Sequence, residues 1–235
     1  MLSGIPAYII ITFLVTVFLT GLLFIRAVKN KTIPVIVLTL WLAVTGILAF
    51  KEFFIETTTT PPPTFIFAVA PAFFFIIVLL VTKKGLAFTN TLNLRHLTLL
   101  HIIRIPVEVV LYWLAVEKAI PDLMTIEGRN FDIISGITAP AIYFICFKDT
   151  KVINRQLLLA WNFICLGLLL NIVINAILSA PFSFQQFAFD QPNIAVLYFP
   201  FVWLPSFIVM LVLLSHLVVI IRLLKRRPGP TYQIL

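Results

Sequence analysis

Seven apolar runs, separated by short polar or charged stretches, divide the chain. They fall near residues 4–25, 33–50, 64–82, 97–116, 133–147, 157–179 and 193–221. Apolar and polar positions do not alternate within them, so the strands of a barrel are excluded. A backbone surrounded by lipid can then satisfy its amides and carbonyls only as a helix. The pattern predicts an all-α fold: a single bundle of seven transmembrane helices over residues 1–227, followed by a short tail at 228–235. At a rise of about 1.5 Å per residue, roughly twenty residues cross the hydrocarbon. Six runs meet that length. The run at 133–147 is short and contains Gly136 and Pro140.

Composition supports the lipid reading. Hydrophobic residues are 61% of the chain and charged residues 11%, against about 25% charged in a soluble domain. A soluble fold of 235 residues has no room to hide that much apolar surface, so the bilayer is the first expected partner. The net charge of +8 does not indicate nucleic acid, because the basic residues sit in short clusters between runs and form no basic face. Thirteen of the 17 Lys and Arg fall in alternate connectors: Arg26, Lys29 and Lys31; Lys83, Lys84 and Arg95; Lys148, Lys151 and Arg155; and Arg222, Lys225, Arg226 and Arg227. Such a bias marks the cytoplasmic side. With an odd number of spans it places the N-terminus outside and the C-terminal tail in the cytoplasm. Seven of the nine acids lie in the opposite connectors, and residues 57–63 read as an extended outer connector. The first run is too long for a signal-peptide core and its basic residues follow it, so it is expected to remain as a helix. Cys146 and Cys165 lie inside runs and suggest neither a disulfide nor a metal site.

Only two charged residues lie inside a run, Arg104 and Glu108, four apart in the fourth. That spacing predicts an ion pair. On a 100° step His101, Arg104, Glu108 and Tyr112 share one arc of that helix. Pro106 among them removes a helical hydrogen bond and frees the Ile102 carbonyl. Ionisable groups inside a span are expensive and point to function, although the same pair could lock helices together. Counting rise from the inner basic residues puts Glu108 about 20 Å up, and Asn171 and Asn175 about 24 and 30 Å up. Glu108, Tyr112, Asn171, Asn175 and Asp132 are therefore expected to wall a polar cavity open to the outside. The bland counterpart is that each Asn bonds a neighbouring helix. Glu127, Arg129, Asp190 and Gln191, in the outer connectors, would form its gate or lid, or simply anchor the interface. His101 and His216 lie at similar depth on different helices and would be the ligands if a haem were bound. No other cofactor or metal is indicated, since no nucleophile elbow, phosphate loop, dinucleotide fingerprint or HExxH occurs. Pro200 and Pro205 predict a kink in the last run.

The phrases His101-Ile-Ile-Arg104-Ile-Pro106-Val-Glu108, Glu127-Gly-Arg129-Asn-Phe-Asp132 and Phe189-Asp190-Gln191-Pro192-Asn193 resemble those of a set of uncharacterised bacterial seven-helix membrane proteins, over the whole chain. The resemblance implies a multi-pass protein of the bacterial inner (plasma) membrane and carries no activity with it. The expected function is binding or transport of a small polar solute or protons in a cavity built around Arg104 and Glu108. The alternatives are an intramembrane enzyme using Glu108 and His101 as acid and base on a lipid-like substrate, and a haem-binding redox protein using His101 and His216.

Overall fold

A computed structural model describes residues 2, 4–56, 63–149 and 151–225. The tail at 228–235, Arg226 and Arg227, and most of the connector at 57–63 lie outside the described residues. The described chain is mostly helical. Helix α1 spans Ala7–Ala27, α2 Thr32–Phe50 and α3 Ile66–Val81. Helix α4, Lys83–Thr91, then turns 89° away from α3. The sequence pattern gave this stretch as a loop. It is a helix because Thr82 leaves α3 in an extended conformation and its hydroxyl accepts from Gly85 N at 3.1 Å, capping the new N-terminus. A side chain at Gly85 would run into the backbone of Leu79, so the corner needs glycine.

The fourth run is helical from Leu94 to Val116 but not uniformly. Helix α5, Leu94–Leu100, is capped by the Asn93 side chain, which accepts from Arg95 N and His96 N. A 3₁₀ turn at His101–Ile103 joins it to α6, Arg104–Val116. Pro106 explains the break: its ring crowds the carbonyl four residues back, and the tighter turn relieves the clash. Helix α7 covers Ile133–Cys146. A small antiparallel hairpin, β1 (Phe147–Lys148) with β2 (Lys151–Val152), leads to α8, Arg155–Ser179. The last run begins later than its hydropathy predicts. Residues 193–203 form turns, then a π-helical turn at Leu204–Ile208 runs into α9, Val209–Lys225. Pro205 sits at the start of that turn, where a missing N–H leaves no helical bond unmade.

By length and composition α1, α2, α5–α6, α8 and the turn-plus-α9 segment are each fit to cross a membrane. The bent α3–α4 pair is a sixth candidate, and α7 is shorter. Large apolar side chains such as Phe18, Phe74 and Phe144 point outward as well as inward, which is compatible with lipid on the outside. Helix α9 runs through the core against α5 and α8, while α5 and α6 pack on α1 and α7. Helix α2 is peripheral, held by two indoles: Trp41 Nε1 donates to Ser206 O at 2.9 Å and Trp203 Nε1 to Leu42 O at 3.1 Å.

The connectors gather into two ends. At one end Asn93 N bonds Ala27 O, Arg95 reaches Asp149 O, Arg155 reaches Leu223 O, and Arg222 reaches Leu92 O. The predominantly basic connectors therefore meet there. At the other end Gln191 Nε2 donates to Ala115 O at 3.1 Å, and the amides of Ile194 and Ala195 donate to Ala119 O.

Candidate functional site: a buried charged centre

Helix α7 has 14 residues, about 21 Å of rise, too little for a whole span. Its N-terminal end sits at the level of Arg104, where a side chain at Gly136 would press on Ile105 and the Arg104 Cβ. The space above is filled by the irregular segment 117–131, which holds one 3₁₀ turn at Asp122–Met124. Gly128 closes its turn, because a Cβ there would collide with Leu123 and the Asp122 carbonyl. This segment carries Asn130 into the interior. Asn130 Nδ2 lies 2.7 Å from both carboxyl oxygens of Glu108 and 3.0 Å from Met124 O, and its Oδ1 accepts from Asp132 N at 3.0 Å.

Arg104 is 2% exposed, and its NH1 is ion-paired with Asp132 Oδ1. The expected Arg104–Glu108 pair is therefore corrected: Asp132 takes the guanidinium and Asn130 takes Glu108. The recessed end of α7 brings a carboxylate closer to Arg104 than a neighbour one turn away on its own helix. Arg104 also places NH2 3.0 Å from His216 Nε2. A guanidinium only donates, so Nε2 accepts and the ring proton lies on Nδ1, which donates to Asn162 Oδ1 at 2.9 Å. Asn162 Nδ2 in turn donates to Leu158 O at 2.8 Å. A continuous polar chain thus runs from α8 through α9 and α6 to the top of α7. Burying such charges costs several kcal/mol per ion, which excellent geometry and further hydrogen bonds must offset.

His101 is wholly buried. Its ring stacks on His216 with centroids 4.0 Å apart, and the Trp161 ring stands edge-on to it at 5.3 Å. Neither of its nitrogens has a hydrogen-bonding partner among the described residues, and the same holds for Arg104 Nε and Ser135 Oγ. This arrangement does not suit haem. The stacked rings leave no space for a porphyrin between them, and both nitrogens of His216 are engaged. No group of three or more His, Cys, Asp or Glu among the described residues is placed to hold a metal.

The other predicted positions separate. Tyr112 is 44% exposed, while Glu108 is 6% exposed. The buried arc of α6 ends at Glu108, and a further 40° carries Tyr112 toward exposed Val109 and Val116. Asn171 is exposed and donates to Arg129 O at 2.7 Å, and buried Asn175 donates back to Asn171 O. Asn171 thus braces the 117–131 segment, and Asn175 braces Asn171. Glu127 and Asp190 are exposed, Arg129 lies over the Phe187 ring at 5.3 Å, and Gln191 clamps the end of α6. The sequence reading missed Asn130, Ser135 and Asn162. Asn162 had a signal, as a polar residue about 10 Å into an apolar run and at the depth of His216. Asn130 lay inside a phrase already singled out.

Fold and centre together define an apolar helical bundle with a charged interior. Residues 61–224 match the family described as Domain of unknown function (DUF8737), and the chain belongs to that family. The match takes in every residue of the centre. No curated protein and no solved structure matches the chain.

Proposed function

We propose that the protein is a seven-span protein of the bacterial plasma membrane, N-terminus outside and C-terminus in the cytoplasm, whose charged centre binds or moves a small polar solute or protons. The orientation is supported by the basic connectors meeting at one end of the bundle. On this reading α7 is a half-span capped by the 117–131 segment, which buries residues 119–121, Met124, Thr125 and Asn130 and leaves Glu117, Lys118, Glu127 and Arg129 exposed. One observation carries the function: a buried Arg104–Asp132 pair beside an imidazole and a guanidinium nitrogen that have no protein partner among the described residues. Buried polar groups normally have partners, so water or a solute would complete the set. Glu108, the second carboxyl, sits on the outer side of the pair.

The test is flux. Protein reconstituted into liposomes containing a pH-sensitive dye should dissipate an imposed proton gradient, alone or with an added solute, and Glu108→Gln should abolish this while the protein stays folded. Equal flux in the variant removes Glu108 from the function. An acid–base enzyme acting on lipid has less support, since Glu108 is buried inside the bundle, away from the surface a lipid would meet. The haem reading has less again, for the steric reason above.

A further inference from the structure

Asp132 occupies an unusual position for a helix N-cap. Asp, Ser, Thr and Asn at this position normally turn back to accept from the first free amides, yet Asp132 makes no such bond and extends to Arg104 instead. The first turn of α7 and the guanidinium are thus joined by one carboxylate. Two donors on these same elements have no hydrogen-bond partner among the described residues, Arg104 Nε and Ser135 Oγ, the latter in the first turn of α7, fully buried and beside Cys165. Arg104 NH1 also lies 3.5 Å from Cys165 O, so the guanidinium reaches α8 as well.

Resting on the transport or binding reading above, we infer that Arg104 and the N-terminal turn of α7 form a receptor for a small carboxylate, which Asp132 fills as an internal stand-in. The chemistry of the donors names the class. A guanidinium presents paired N–H groups that match a carboxylate in two-point contact, and a helix N-terminus and a hydroxyl add donors aimed at negative charge. Helix α7 packs so closely here that a Cβ at Gly136 would meet Ile105 and the Arg104 Cβ, so the smallest carboxylate is the probe to use. Charge balance sets the exchange. The Asp132 carboxylate takes one proton, its contact with Arg104 breaks, and the entering carboxylate makes the replacement contacts. The charge at the guanidinium is the same before and after, so no bare charge is left in the low-dielectric interior. Arg104 and Glu108 from α6 and Cys165 from α8 face Asp132, and His216 from α9 faces Arg104. Of these only Arg104 is a fixed cation.

Formate is the probe, and formamide its neutral counterpart. Binding to the full chain in detergent is measured by calorimetry between pH 8 and 5.5. In the wild-type protein formate affinity should rise as the pH falls, because protonation of Asp132 frees Arg104. Asp132→Asn removes the competitor and should bind formate at least about tenfold more tightly at pH 8, the gain expected when a site competent less than a tenth of the time becomes fully competent. Its affinity should be flat across the range, and formamide should bind neither protein. A folded Asp132→Asn protein that binds formate no better than wild type, or binds formamide equally, overturns the inference. Should that variant not fold, Ser135→Ala at pH 5.5 carries the test: weakened formate binding supports the receptor, and unchanged binding overturns it. Formate binding without flux would keep this inference and remove transport, whereas proton flux through a protein that binds no formate would do the reverse.

Discussion

Asn130 donates to both oxygens of Glu108 and accepts from the backbone amide of Asp132, so a single side chain ties the Glu108 carboxyl to the backbone that carries Asp132. Asn130→Ala leaves a buried carboxyl without its donor and should lower stability by about 1–3 kcal/mol, the cost of an unsatisfied buried group. The shift of the unfolding midpoint in detergent measures it. The Arg104–Asp132 pair obeys the same asymmetry more strongly. Arg104→Met strands Asp132 and should cost about 3–5 kcal/mol, while Arg104→Met combined with Asp132→Leu should recover most of that loss. A double variant as unstable as the single one would show that the pair itself, and not the stranded charge, holds the helices. At this scale the sequence disclosed which residues are costly but not whom they meet. Arg104 and Glu108 stood out as charges inside an apolar run. Their true partners sit 28 and 22 residues away, at a distance no helical periodicity reports.

Among the elements, the long helices were legible because each is a run of apolar residues ended by charge. Those set by local backbone chemistry were not. Helix α4 is polar and short, so hydropathy is silent about it, and its existence depends on Thr82 as cap and Gly85 at the corner. Gly85→Ala places a methyl group against the Leu79 backbone and should cost about 1–3 kcal/mol, as overpacking does elsewhere. Gly85→Ala unfolding at the wild-type midpoint would mean that the corner relaxes freely. The late start of α9 also escaped hydropathy, since residues 193–203 are apolar enough to continue a span yet are diverted by Pro200 and Pro205. Helix α7 is the informative case: its shortness was visible, and the structure gives the reason. It needs to begin at Arg104, and the residues that would have extended it form instead the loop that delivers Asn130.

At the level of the molecule, two exposed lysines at opposite ends of the bundle report its orientation. Lys84 and Lys118 flank the α5–α6 span, and both are exposed. Hydrogen bonds tie the neighbourhood of Lys84 to the end of the bundle that holds most of the basic residues, through Arg222 with Leu92 O and Asn93 N with Ala27 O. Lys118 follows α6 at the opposite end, where Ala119 O receives the amides of Ile194 and Ala195. If basic connectors are retained in the cytoplasm, a cysteine at 118 should react with a membrane-impermeant maleimide in intact cells, and a cysteine at 84 only after permeabilisation. The native thiols interfere little, since Cys146 and Cys165 are both buried. Reversed labelling would invert the protein and put Glu108 on the cytoplasmic side of Arg104, so that solute and proton would enter the centre from within. Labelling of both positions from outside would mean that α5–α6 does not cross. In that case the ion pair would not lie at membrane depth, and the electrostatic cost that makes it a candidate site would largely disappear.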